Sequence, residues 1–297
     1  MKFGKVANPE LIDFTLPKTH HKTVSLLSSF DKVEKPTIYV GCAKWNKADL
    51  KGFYPKGTKD ELGYYSKQFN SIELNATFYR VFSAEQFEKW NLKTPKGFKF
   101  FPKLTQDISH FKRLQGTQDS VNLFLDNAAH LQEKLGTIFL QMHADFGPSN
   151  FEALRNFVVS WPKGVPLGIE VRHKEWFSDV IVLDELTQLL EENTIANILV
   201  DTAGRRDMLH MNMTNNEAFI RFVGANHPLD YERLDAWVCR LKEWSDLGLK
   251  NIHFFIHQNI EVESPLLAAY FIKKLNNVLG TDLKVPNENI NQQMSLL

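Results

Sequence analysis

Three carboxylates lie within or at the ends of short apolar runs of the sequence: Glu73, Glu170 and Asp201. Such a carboxylate needs a partner, because burying an unpaired charge is costly. Positioned carboxylates transfer protons as general acids or bases. We therefore predict that Glu73 and Glu170 are acid/base residues and that Asp201 is an orienting carboxylate.

Basic, amide and aromatic side chains occur at the ends of the same runs. Lys103, Arg172 and Arg221 have the chemistry of a clamp for an anionic group. Aromatic rings nearby offer faces for stacking. The predicted ligand-binding residues are Lys44, Trp45, Asn75, Tyr79, Lys103, His110, Arg113, Gln141, His143, Arg172, Trp176, Arg221 and His257. The alternative interpretation is a layer of salt bridges that only fills the interior.

Metal and nucleophile motifs are missing from the sequence. Neither HExxH nor GxSxG occurs, although Glu73, His143, Glu170, Asp201 and His257 are suitable ligand types for zinc or manganese. The basic residues in the same runs would repel a divalent cation. We predict no cofactor, and a divalent metal is the less favoured alternative.

Eight short β-branched or aromatic runs alternate with segments of helical period. They are residues 38–45, 71–79, 97–104, 137–144, 166–173, 196–202, 218–224 and 251–258. Eight βα units in about 250 residues are typical of a TIM-type (β/α)8 barrel with parallel strands. In the second run, period-two alternation places Glu73, Asn75 and Thr77 on one strand face. A doubly wound sheet is disfavoured, because no GxGxxG follows the first run.

The predicted organisation is a single domain with an N-terminal extension. Residues 1–36 form the extension, residues 37–280 the barrel and residues 281–297 a polar C-terminal tail. The 35 basic and 35 acidic side chains leave no net charge, unlike a non-specific binder of nucleic acid or membranes. Cys42 and Cys239 match no zinc spacing, and no secretory signal or membrane-spanning run is present. We therefore expect a cytoplasmic protein, with its oligomeric state left open.

Five ordered blocks of the sequence carry a resemblance to a known family. They are VGCAKWNKADLKGFYPKGTKDELGYYSKQFNSIELNATFYR, FKFFPKLTQDISHFKRL, KLGTIFLQMHADF, GIEVRHKEWF and ILVDT. This pattern resembles the domain of unknown function 72 (YecE-like) family over about residues 37–275. The resemblance implies a TIM-type barrel and brings no established reaction with it. The endings of the seventh and eighth runs, IRFVGANHP and FFIHQN, depart from the family pattern.

Two classes of function follow from these residues. The first is an enzyme that acts on a small anionic or hydroxyl-rich compound, phosphate- or sugar-like, by carboxylate acid/base chemistry at the strand carboxyl ends. The second is a module that binds a phosphodiester or nucleic acid through the basic segment SHFKRL, residues 109–114. A divalent-metal-dependent hydrolase is a third alternative.

Overall fold

The computed structural model describes residues 4–287, and its strands are short and parallel. The strands are β1 (Thr37–Cys42), β2 (Ser71–Leu74), β3 (Lys99–Pro102), β4 (Ile138–Gln141), β5 (Leu167–Glu170), β6 (Ala196–Asn197), β7 (Leu199–Thr202), β8 (Glu217–Gly224) and β9 (Asn251–Gln258). The hydrogen-bonded sheets have the orders β1-β9-β8-β7, β2-β3 and β4-β5-β6. Each of the eight predicted runs contains a strand, and the predicted α/β class with parallel strands is confirmed.

Helices follow most of the strands. They are α1 (His21–Ser28), α2 (Glu61–Gln68), α3 (Ala76–Tyr79), α4 (Ala84–Lys93), α5 (Gln118–Ala128), α6 (Phe151–Ser160), α7 (Glu175–Ser178), α8 (Val180–Glu192), α9 (Leu229–Leu247) and α10 (Ser264–Leu279). Among residues 4–287, no helix combines the length and apolar character that crossing a bilayer requires.

The second and sixth runs differ from the prediction. β2 ends at Leu74, and the predicted alternation beyond it is wrong because the chain turns into α3. The Thr77 hydroxyl lies within hydrogen-bond distance of the carbonyl oxygens of Leu74 and Lys103, at 2.8 and 2.7 Å, which holds this turn in place. The sixth run divides into β6 and β7 at Ile198, whose amide still donates to the Ile169 carbonyl of β5 at 2.9 Å.

Side chains join β1 to the chain beside β2. The amide of Asn70 accepts from Val40 N–H at 2.9 Å and donates to the Ile38 carbonyl at 2.7 Å. The Tyr65 hydroxyl accepts from Cys42 N–H at 2.7 Å and donates to the Ser71 carbonyl at 3.1 Å. These side chains satisfy backbone groups of β1 that would otherwise require a neighbouring strand.

Apolar side chains pack on both faces of the strands. The larger cluster lies between strands and helices. The smaller cluster, on the opposite face, is formed by Phe101, Phe139, Ala196, Ile198, Val200, Met208, Phe219 and Phe255. Charged side chains lie against it: the guanidinium carbon of Arg221 is 5.4 Å from the Phe139 ring centroid. The smaller cluster is therefore an apolar floor for the polar residues described below.

The described part of the N-terminal extension runs beside the end of β7 and along α9. The Gly4 carbonyl accepts from Gly204 N–H at 3.0 Å. Further along, the Thr19 hydroxyl accepts from the Trp244 indole at 2.9 Å. At the other end of the chain, the Asn287 amide donates to the Phe53 carbonyl at 3.1 Å. Residues 1–3, and residues 288–297 of the predicted tail, lie outside the described residues.

We predict that Gly41→Ala destabilises the protein by about 1–3 kcal/mol, as overpacking does. A Cβ at Gly41 would lie 2.3 Å from the Ser71 carbonyl oxygen, and that backbone cannot move without disturbing β2. Urea unfolding measures the change. Gly168→Ala is the control with a smaller effect, because its Cβ would meet flexible Ile198 side-chain atoms at 3.1 Å. Equal losses in the two variants would contradict the tight approach of β1 and β2.

Candidate functional site

One arginine joins two buried carboxylates from different strands. Arg221 of β8 donates to both carboxylate oxygens of Glu73 in β2, at 2.9 and 2.8 Å. Its Nη1 also donates to Glu170 at the end of β5. Both glutamates are buried, with 0% and 1% of their surface exposed. A bidentate guanidinium pair of this kind fixes the geometry as well as the charge.

Gln141, at the end of β4, connects the basic residues of the cluster. Its Oε1 accepts from Lys103 Nζ at 3.0 Å, from Arg172 Nη2 at 2.7 Å and from Arg221 Nη1 at 3.2 Å. Arg172 also donates from Nε to Glu170. Residues from β4, β5 and β8 and the residue after β3 therefore share one hydrogen-bonded network.

Two further predicted residues contact Glu73. The Asn75 amide donates to its Oε1 at 2.7 Å, and His257 Nε2 lies 2.9 Å from its Oε2. We call the connected residues the strand-end cluster. Its members are Glu73, Asn75, Lys103, Gln141, Glu170, Arg172, Arg221 and His257.

The surroundings of the cluster lower the pKa values of its two glutamates and of Lys103, for different reasons. Burial by itself raises the pKa of each glutamate, but the arginines outweigh it. Arg221, with His257, holds the pKa of Glu73 well below its usual value, and Arg172 with Arg221 lowers the pKa of Glu170 to about 2. Burial, followed by repulsion from Arg221 and Arg172, lowers the pKa of Lys103 to about 7.

Aromatic and histidine rings border Lys103. Its ammonium nitrogen lies 4.0 Å from the centroid of the Phe78 ring. The His110 ring packs edge-on against Phe78 and against His143, with centroids 4.9 and 5.1 Å apart. Burial, and then the charges of His143 and Lys103, lower the pKa of His110 to about 4. His110 and His143 therefore lie beside the strand-end cluster.

Two cavities meet at Arg172. One, of about 320 Å³, is lined by Arg172, Arg221 and His257 and also by Lys5 of the N-terminal extension. The other, of about 680 Å³, includes Phe177 and Arg205 in its lining. The first has the size of a small ligand site. Sequence reasoning missed Lys5, because the extension has no periodicity that indicates which residues face a site.

Asp201 is not brought together with the other two carboxylates. It is fully buried, but its oxygens accept from Arg233 and from the Trp237 indole of α9, both at 2.8 Å, and from Arg206. The neighbouring Val200 belongs to the apolar floor, so alternation turns Asp201 outward toward α9. The predicted orienting contact with the strand-end cluster is absent from the described residues.

Five other predicted residues lie outside the strand-end cluster. Lys44 pairs with Asp49 at 3.1 Å, and the Trp45 ring packs edge-on against Trp90. Trp176 is buried, with its indole donating to the Phe146 carbonyl at 2.6 Å. The remaining two are Tyr79, which is 71% exposed, and Arg113, which donates to the Asp145 carbonyl at 3.0 Å. Ordinary packing or pairing explains all but Tyr79, whose predicted ligand contact stays a prediction.

The site contains side chains of the types that bind metal ions, but they are not grouped as a metal site requires. Across residues 4–287, no three His, Cys, Asp or Glu side chains are placed so that they would hold a metal ion. Glu73 and His257 are adjacent, but the nearest charged partner of that carboxylate is Arg221. The described residues therefore offer no set of three side chains arranged to bind a metal ion.

The fold and the strand-end cluster define a parallel α/β protein with a buried, compensated charge network at its strand ends. A family model described as "Protein of unknown function DUF72" matches residues 39–289. The chain therefore belongs to the DUF72 family, and the resemblance seen in the five sequence blocks is confirmed.

Individual relatives agree with this assignment. The UPF0759 protein YecE of Escherichia coli K12 is 27% identical over 281 residues, which cover 87% of this chain and 99% of YecE. The UPF0759 protein YunF of Bacillus subtilis 168 is 27% identical over 201 residues, 64% of this chain and 71% of YunF.

Solved structures of the family have a similar fold. A DUF72 family protein of Thermotoga maritima MSB8 has 25% sequence identity and a TM-score of 0.64, covering 81% of this chain and 99% of the other. One from Enterococcus faecalis V583 has 18% identity and a TM-score of 0.66, covering 84% of this chain and 100% of the other. The likeness extends over nearly the whole of both solved chains.

We predict that Arg221→Met costs about 3–5 kcal/mol of stability at pH 7, because it leaves Glu73 and Glu170 without their shared partner. Urea or thermal unfolding measures the loss. Arg155→Met is the matched control, since Arg155 is half exposed and lies 3.7 Å from Glu152. A surface pair of that kind contributes at most about 1 kcal/mol. Similar losses in the two variants would contradict the structural role of Arg221.

We expect the protein to lose stability as the pH falls, because the buried glutamates become protonated and lose their ion pairs with the arginines. The folded pKa of Glu170, about 2, lies below its usual value of 4.5, so its stabilising contribution is present above pH 4.5 and lost as the pH falls toward 2. Glu170→Gln therefore differs most from the wild type above pH 4.5, and the difference shrinks in acid. Unfolding at a series of pH values tests this, with the exposed Glu152→Gln as a control expected to show little change at any pH. A pH-independent difference would rule out the ion pair as its source.

Proposed function

We propose that this protein is an enzyme that binds a small anionic compound at the carboxyl ends of its strands. The observation that carries the proposal is an excess of positive charge among the side chains of the strand-end cluster. Lys103, Arg172 and Arg221 supply three cations when Lys103 is protonated, and Glu73 and Glu170 supply two carboxylates. An anionic group beside Lys103 removes this excess, which favours binding in a site of low dielectric constant.

We further propose that the strands close into a TIM-type (β/α)8 barrel. Support comes from the contacts between the three sheets. Asn70 and Tyr65 link β1 to the β2 side, and the parallel bridge between Lys103 and Phe139 links β3 to β4. Ile198 continues the sixth run from β6 into β7. In such barrels, ligands bind at the carboxyl ends of the strands, where the strand-end cluster lies.

Lys103 is the proton-transfer group in this proposal. A general acid or base works best when its pKa is near the working pH, and the pKa of Lys103 is about 7. The lowered pKa values of Glu73 and Glu170 favour a fixed negative charge that positions Arg221 and Arg172. The sequence predicted acid/base chemistry by carboxylates. In the proposal, the amine of Lys103 transfers the proton instead. Gln141 is the one hydrogen-bond acceptor for Lys103 Nζ among the described residues, so donor capacity remains for a ligand.

The phosphodiester alternative has weaker support. In the segment 109–114, Lys112 pairs with Asp107 at 2.8 Å and Arg113 donates to the Asp145 carbonyl. A nucleic-acid contact would have to replace these partners.

The cytoplasm stays the proposed compartment, because Cys42 and Cys239 are both free thiols.

We predict that Lys103→Met abolishes anion binding and lowers turnover by about 100-fold or more, the usual contribution of a general acid or base. Calorimetric titration with inorganic phosphate measures binding. Incubation with a panel of small phosphate esters and carboxylates, followed by NMR, measures turnover. In the wild type, the labelled Lys103 Cε signal titrates near pH 7, and phosphate shifts that midpoint upward.

Lys134→Met is the matched control. Lys134 is as buried as Lys103, 6% against 7% exposed, but its Nζ donates to the Asn91 and Thr94 carbonyls away from the site. The folded variant should retain binding and turnover, even if it is less stable than the wild type. A Lys103 midpoint near 10 that phosphate leaves unmoved, or full turnover in folded Lys103→Met, would overturn the proposal.

A further inference from the structure

The larger of the two cavities at Arg172 lies at the carboxyl ends of three strands. Ala144 follows β4, five lining residues of the segment 172–178 follow β5, and Arg205 and Asp207 follow β7. Its volume of about 680 Å³ is within the range of cavities that hold small organic ligands. We call it the Phe177 cavity. Apart from Arg172, none of its lining residues belongs to the strand-end cluster.

The Phe177 ring is held in a parallel stack before any ligand arrives. Its plane makes an angle of 8° with the His210 ring, and the two ring centroids are 5.5 Å apart. Phe177 also packs against the apolar floor, but it is only half-buried and lines the cavity. A ligand ring that stacks on Phe177 therefore meets a surface that needs little further ordering.

Backbone groups fix the His210 ring that supports Phe177. The Asn212 N–H donates to His210 Nδ1 at 3.2 Å, and Nε2 lies 3.2 Å from the Ile198 carbonyl oxygen. Nδ1 is therefore the acceptor, and Nε2 carries the proton. Burial lowers the pKa of His210 to about 4, so the imidazole is neutral at pH 7. The two rings form a fixed, uncharged platform.

The side of the cavity that follows β7 is also fixed. Arg205 donates from Nε and Nη2 to the two carboxylate oxygens of Asp207, at 2.8 and 2.7 Å. Its Nη2 also donates to the Arg172 carbonyl at 2.7 Å, which ties this side to the chain after β5. A bidentate pair of this kind is rigid, and the two charges compensate each other.

Lys174 brings a positive charge to the cavity that no acidic side chain compensates. Its ammonium group forms no ion pair or hydrogen bond with any residue in the range 4–287. The neighbouring Glu175 lies 3.7 Å from His173 instead. Because Lys174 is exposed, its attraction for one acidic group of a ligand is real but modest.

We propose that the Phe177 cavity is a second ligand site, which binds a planar aromatic compound with one carboxylate. The ring stacks on Phe177, and the carboxylate lies at the Lys174 ammonium. This site is separate from the proposed anion site at Lys103 and does not depend on it. Since Arg172 belongs both to the cavity lining and to the strand-end cluster, the bound ligand lies next to that cluster.

The test of the ring compares benzoate with cyclohexanecarboxylate, which has the same charge and a similar size but is not planar. Calorimetric titration of the full chain gives both affinities. Benzoate should bind about fivefold more tightly than cyclohexanecarboxylate, and Phe177→Leu should remove this preference because it removes the stacking face. Phe30→Leu is the control, since Phe30 is half-buried beside Lys250 at the other end of the strands and should keep the preference.

The test of the charge compares benzoate with the neutral benzamide. Benzoate should bind about threefold more tightly, and Lys174→Met should remove the difference. Lys273→Met, which changes an exposed lysine of α10, should leave it unchanged. Equal affinities for benzoate and benzamide in the wild type would overturn the role of Lys174.

A measurement on the wild type locates the ligand without any substitution. In protein with labelled phenylalanine, benzoate should shift the ring-proton NMR signals of Phe177 upfield through its ring current, and cyclohexanecarboxylate should not. The same shift is expected in Lys103→Met. Benzoate that binds without shifting these signals, or that prefers no ring in Phe177→Leu and the wild type alike, would overturn the site. A chain that fails to bind phosphate but still shows the Phe177 shift would overturn the proposed anion site and leave this one standing.

Discussion

The sharing of one guanidinium by two buried carboxylates constrains the whole site. Glu73 and Glu170 come from strands far apart in the sequence, and each requires positive charge to be buried at all. Arg221 satisfies both from a third strand, with its bidentate bond to Glu73 and its contact to Glu170. Three strands are therefore held in one relative position, because any displacement would leave a buried charge without its partner.

This arrangement separates the fixed charges from the adjustable one. The arginines stay charged and occupied, and the glutamates stay ionised, so neither pair changes state near neutral pH. Lys103 is different, since it lies against Phe78 and has one amide acceptor in place of a carboxylate partner. A rigid, compensated frame around a single titratable amine is a typical way to tune a reactive group. In the function proposed above, the salt bridges fix the structure while Lys103 carries the chemistry, so the two interpretations of these residues apply together.

The strands could be predicted from sequence, but the direction of their polar side chains only in part. Alternation in the second run put Glu73 on the polar face of its strand, and Arg221 meets it on that face. It could not show that Asp201 faces α9, since both faces of that strand are buried and the sequence does not reveal which one receives a charge. It also continued β2 past Leu74, where the Thr77 hydroxyl bonds turn the chain. Lys5 had no periodic signal, and only the folded chain brings it to the cavity.

The junction formed by Asn70 depends on the difference between an amide and a carboxylic acid. Its oxygen and nitrogen satisfy opposite needs of the same edge, the N–H of Val40 and the carbonyl of Ile38. Spontaneous hydrolysis of this one side chain would keep the acceptor, but would set a negative oxygen against the Ile38 carbonyl. A change of one functional group would then break this junction and leave Tyr65 as the side chain that joins β1 to the chain beside β2.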